Sequence, residues 1–219
     1  MSQATPKSGG LRRFFGALVE RAFFEELGIA DVRLTEYLSD LLCRFVRMDA
    51  VFGLRDVHGR RIEEVAEMLA EAERRPRRSA DAAPSDLPDL ALPAASDGGA
   101  SGAPAAGDAS SSSVHRPPRE RIVHKHVGDF VLFWTGVYPE FLSRLRAPGR
   151  KDRLIDYLAQ GRRSYYIAST YDEPALRDET RTLRRLSEEL EVCAFGLNMV
   201  RRSWEQLAPQ QHRRLREKW

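Results

Sequence analysis

The sequence predicts an all-α protein, a six-helix bundle with three helices, a disordered linker and three more helices, the last long and heptad-patterned. Three observations predict it. Leu183, Leu186, Leu190, Cys193, Leu197, Val200, Trp204 and Leu207 alternate in steps of three and four, which lays one apolar seam along a single helix. Val192, Ala194, Phe195 and Met199 widen that seam beyond what one partner helix covers, which calls for a bundle. Residues 79–113 are mostly Ala, Ser, Gly, Pro and Asp, too poor in large apolar side chains to offset the entropy of ordering them. The stretch 76–118 therefore reads as a disordered linker, and residues 1–10 as a disordered N-terminus.

The first helix is expected over 11–27, with Phe14, Phe15, Leu18, Ala22 and Phe23 on its apolar side and Gly28 as its stop. Asp31 is a good N-cap for the second, whose seam is Leu34, Leu38, Leu41, Phe45, Met48 and Phe52. A turn at His58 and Gly59 ends that run, and Ile62, Val65, Ala66 and Leu69 mark a third helix. Beyond the linker, Val123, Val127, Phe130, Trp134, Val137, Phe141 and Leu145 mark a fourth, kinked near Gly136 and Pro139. The fifth is expected over 151–169 with Leu154, Leu158, Gly161, Tyr165 and Ala168 inward. The sixth runs from an acidic start to a basic end, the polarity that suits a helix dipole. A half of three helices, 11–75, is small for a core of its own, since so short a chain seldom gains more than ~3–5 kcal/mol. It is expected to pack with the second half, 119–208, as one bundle, leaving 209–219 as a basic tail.

An apolar content of 42% and a charged content of 31% are ordinary for a globular protein, and the formal charge is only +3. The basic residues are almost all arginine. With abundant alanine, this fits GC-rich bacterial coding better than a nucleic-acid surface, because no long basic stripe appears. Cys43 and Cys193 fall on apolar helix faces, which suits a reduced, cytoplasmic setting. Glu20 and Arg21 interrupt the apolar run after Arg13, so no export signal is expected. The most apolar window, 127–142, contains Asp129, Pro139 and Glu140 and is shorter than the ~20 residues of a membrane span.

The densest reactive cluster opens the fourth helix. His126 and Asp129 lie one turn apart on one face, so an imidazole and a carboxylate address the same ion or proton. The competing account makes Asp129 a cap and leaves His126 at a wet edge. A metal site needs three or four ligands and only two are named, with no Glu-x-x-His, so no metal ligands are assigned. Arg162, next to Tyr165 and Tyr166, suits gripping a phosphate or stacking on a base; otherwise Tyr165 fills the core and the arginines face water. Tyr138 belongs to an aromatic group with Phe130, Phe133, Trp134 and Phe141 that suits either core or pocket wall. No phosphate-binding glycine loop, Cys-x-x-Cys or nucleophile elbow is present, and no catalytic residue or cofactor is assigned.

The stretches LRDVHGRRIEEVAEML (54–69) and HVGDFVLFWTGVYPEFL (126–142) resemble those of uncharacterised helical proteins of environmental bacteria. The likeness extends to GRRSYYIAS and LRRLSEELEVC, and so to most of the chain outside the linker and tail. It implies a bacterial origin and brings no activity with it. The expected function is thus that of a non-enzymatic interaction or assembly protein, with a protein partner or a second copy engaged through its helices. The alternative is a small-molecule or metal site between the fourth, fifth and sixth helices, using His126, Asp129, Tyr138, Arg162 and Tyr165. A weaker one is nucleic-acid binding through the arginines.

Overall fold

Asp31 shows how local chemistry starts an element: its carboxylate accepts the amide of Leu34 at 3.1 Å and opens the second helix. The computed structural model describes residues 8–46, 51–56, 58–73, 118–171, 174–210 and 213. Among them the protein is all-helical, with eight α-helices and no strand. These are α1 (Ser8–Glu20), α2 (Val32–Phe45), α3 (Val65–Glu73), α4 (Arg119–Gly136), α5 (Leu142–Leu145), α6 (Tyr157–Ser169), α7 (Arg177–Glu188) and α8 (Leu190–Leu207). The expected linker, apart from Pro118, and nearly all of the expected basic tail beyond Gln210 lie outside the described residues.

Eight α-helices replace the expected six because the fourth and the sixth predicted helices each give two, and the fifth loses its first turn as well. The fifth divides: Lys151–Leu154 is a 3-10 turn, and α6 begins only after Asp156 accepts the amide of Ala159 at 3.1 Å. Asp152 is completely buried there, which turns Leu154 outward to 93% exposure instead of into the core. The long sixth helix breaks at Glu189, whose φ of −114° and ψ of 27° leave the helical region between α7 and α8. The kink near Gly136 is an ending: α4 stops, and a 3-10 turn over Pro139–Phe141 leads into the single turn of α5. The first helix ends in a π-helical segment, Arg21–Glu26, and Gly28 follows at φ 69°, a left-handed conformation that suits glycine.

α4 runs through the centre. Twelve of its eighteen residues are buried, so it is covered all round, with α2, α3, α6 and α8 packed on it. Two glycines set its closest approach to α6. A Cβ on Gly128 would stand 2.6 Å from the ring of Tyr165, and one on Gly161 would stand 2.7 Å from Val131. α1 packs on α2 and α8, and α7 on α6 and α2. The heptad-spaced Leu183, Leu186, Leu190, Cys193, Leu197, Val200 and Trp204 are all buried within the chain, with Trp204 edge-on to Phe15 at 5.1 Å. Leu207 leaves the seam at 66% exposure, and Val192 and Phe195 point outward.

Candidate functional site

Asp129 sits in the interior of α4, 1% exposed, ten residues into the helix, so it caps nothing. Its carboxylate instead gathers donors from two other helices. Oδ1 accepts the hydroxyls of Tyr37 on α2 at 2.5 Å and Tyr165 on α6 at 2.9 Å, while Oδ2 accepts Nη2 of Arg44 on α2 at 3.1 Å. Gly128 makes the second contact possible, since any side chain there would displace the Tyr165 ring.

A second charged group adjoins it. Glu179 on α7 holds Arg121 and Lys125 of α4, each at 2.6 Å, and the Lys125 ammonium lies 5.5 Å from the centre of the Tyr37 ring. Burial raises the Glu179 carboxyl, but hydrogen bonds from Lys125 and Arg121 outweigh it and hold the group below its ordinary value. Burial and the Asp129 charge push both Tyr37 and Tyr165 well above 10. Both hydroxyls therefore stay protonated and act as donors. A general base needs a pKa near the working pH, and neither tyrosine offers one.

The structure brings three of the five sequence-selected residues together. Asp129 and Tyr165 are bonded directly, and His126 lies one turn before Asp129 with Nε2 donating to the carbonyl of Val51 at 3.1 Å. Tyr138 is elsewhere, beyond the C-terminal end of α4, packed on Phe133 and Trp134 with the Arg201 guanidinium 5.5 Å from its ring centre. Arg162 is at the surface, paired with Glu191 at 3.1 Å. Sequence reasoning passed over Tyr37 and Arg44. Seven positions apart, they form a polar stripe beside the Leu34, Leu38, Leu41 and Phe45 seam, and that spacing was the available signal.

Asp152 is fully buried and accepts the amides of Val65 and Ala66 at 2.8 Å each and the hydroxyl of Tyr157 at 2.9 Å. Asp152 thus caps α3 from a distant part of the chain. Among the described residues no three His, Cys, Asp or Glu side chains converge as a metal site requires. A surface cleft of about 310 Å³ beside α3 is lined by Asp56, Arg60, Arg61, Glu67, Glu71 and Lys151, where Arg60 pairs with Asp56 and Lys151 with Glu67. Neither thiol is in a disulfide, and burial pushes Cys193 up to about 12, which keeps it an inert thiol.

His124 and His126 give the site a pH dependence. Burial lowers both imidazoles below 6.5, against the opposing charges of Glu120 and Glu73 near His124 and of Asp129 near His126; Arg163, Arg44 and Lys125 add to the lowering. The unfolded chain takes up protons near 6.5 that the folded chain refuses, so stability falls as pH drops below 6.5 toward the folded values. The carboxylates with lowered values, Asp31, Asp56 and Glu179, act further down, below 3.8 for the aspartates and 4.5 for the glutamate. A lower melting temperature at about pH 5.5 than at about pH 7.5 is expected, flattened in a His124→Gln, His126→Gln variant. An unchanged profile in that variant would assign the effect to other groups.

The chain matches no family model, no curated protein and no solved structure. Fold and site together define an all-helical protein built on a central helix whose buried carboxylate accepts three donors from two neighbouring helices.

Proposed function

We propose that the protein is a non-enzymatic assembly protein that pairs with a second copy of itself across the outer face of α8. The carrying observation is Phe195, 58% exposed in the middle of an eighteen-residue helix. Val192 is exposed one turn before it and Met199 half-buried one turn after, so the three form an apolar strip on the face opposite the buried seam. The Asp129 cluster supports a structural role for the interior, since Tyr37, Tyr165 and Arg44 each spend a donor on its carboxylate.

Charge points to a second copy as the occupant. Glu191 and Arg202 are both exposed, and three turns of helix place them on the same edge of the strip. Glu191 holds Arg162 yet stays 48% exposed. In an antiparallel pair of α8 helices, Glu191 of each copy stands beside Arg202 of the other, and two-fold symmetry makes the pairing twice. A parallel two-fold pair would set this edge against the opposite edge of the partner helix and leave Glu191 and Arg202 unmatched to each other.

Native mass spectrometry and sedimentation velocity test this, and the first also reports any bound mass. A dimer is expected, with Phe195→Glu weakening it at least about thirtyfold, the ~2 kcal/mol of a buried aromatic anchor. Glu191→Arg is expected to weaken it, and adding Arg202→Glu to restore it. A monomer at every concentration, or a dimer indifferent to Phe195→Glu, overturns the reading.

A further inference from the structure

The turn between α5 and α6 carries the most exposed large apolar side chain among the described residues, Leu154 at 93%. It does not sit on a frayed end. Asp152, two residues before, is tied by three hydrogen bonds to the start of α3 and to Tyr157, and the amide of Ile155 returns to the Asp152 carbonyl at 3.0 Å. Asp156 then caps α6. Pinned on both sides, the backbone presents Leu154 outward, and Leu158, also exposed, lies in the first turn of α6.

The surroundings are basic. Arg144, Arg146, Arg150, Lys151 and Arg153 are all exposed along this stretch. Arg150 and Lys151 lean on Glu64 and Glu67 of the neighbouring segment, and Arg146 lies 5.0 Å from the ring centre of Tyr157 while donating to the carbonyl of Ile155. Arg153 stands directly beside Leu154. The two carboxylates within the turn are spent, Asp152 on the α3 amides and Asp156 on its own helix.

We propose that this turn docks the protein on an anionic lipid surface, with Leu154 and Leu158 entering the acyl boundary and the surrounding arginines at phosphate level. Leucine gains by leaving water for the acyl region, and guanidinium heads on long stems remain at the headgroups. A nucleic acid would match the arginines but leave both leucines in water. A lipid surface uses both.

Vesicle flotation of the full chain tests it, with phosphatidylcholine alone and with phosphatidylcholine mixed with phosphatidylglycerol. Binding is expected to the mixed vesicles and not to the neutral ones, and to be lost in high salt. Leu154→Ser is expected to weaken it at least about tenfold, the factor a buried leucine carries, and Arg153→Glu by a similar factor. Leu207→Ser, at an exposed leucine elsewhere, is expected to change nothing. Leu154 is almost wholly in water, so its replacement leaves the fold intact, which an unchanged circular dichroism spectrum checks. No flotation, equal binding to both vesicles, or undiminished binding of Leu154→Ser overturns the proposal. So does salt-sensitive binding of an oligonucleotide without flotation, which would assign the turn to nucleic acid.

Discussion

Asp129→Ala is expected to lower the free energy of unfolding by about 3 kcal/mol, a large part of the ~5–15 kcal/mol that holds a typical protein folded. The loss has three parts. Tyr165 keeps a buried hydroxyl without an acceptor, which costs about 1–3 kcal/mol. Tyr37, partly buried, loses the same acceptor, and the volume of the carboxylate is left empty between α2, α4 and α6. Arg44 adds little, because its side chain is 43% exposed and water screens the stranded charge. Urea denaturation followed by tryptophan fluorescence measures the change as a lower midpoint at constant slope. Tyr165→Phe is the milder variant, expected to cost about 1–2 kcal/mol. A double-mutant cycle with Asp129→Ala should give a coupling above about 0.5 kcal/mol, whereas additive losses would mean that the two groups do not act as a unit.

Asp152→Ala should cost a similar amount, about 3 kcal/mol, for a different reason. Its carboxylate is the acceptor for two otherwise orphaned amides at the start of α3 and for the hydroxyl of Tyr157. Removing it uncaps a nine-residue helix, too short to hold together by itself. Amide hydrogen exchange separates this from a general loss of stability: Val65 and Ala66 should lose protection beyond the global change, while α4 amides follow the global change alone. Asp152→Asn keeps an acceptor and should lose roughly half as much. Val65 and Ala66 losing no more protection than the α4 amides would show that the Asp152 carboxylate does not hold the start of α3.

The apolar periodicity of the chain was legible because it reports which side of a helix is buried. The seam from Leu183 to Trp204 lies inside, and Asp31 opens α2. The breaks were not legible. The three-and-four spacing continues unaltered across Glu189, so it carries no sign that the helix ends there. At Leu154 the same rule pointed inward and was overruled, because Asp152 takes the buried position to reach the amides of α3. Likewise Val192 and Phe195 are apolar beside a seam, but the neighbouring helices cover the seam and Ala194 and leave those two outside.

For the site the division is sharper. His126 and Asp129 were selectable because one turn separates them, a relation that helical geometry imposes locally. Tyr37 and Arg44 stand 92 and 85 positions before Asp129, and no local rule connects them to it. The amino-acid order therefore determined the helical class and the buried faces, which follow from periodicity over a few turns. Tertiary packing decided which donors meet the Asp129 carboxylate, where the helices stop and which leucine faces water, because a buried charge recruits whatever donors the packed helices bring within about 3 Å.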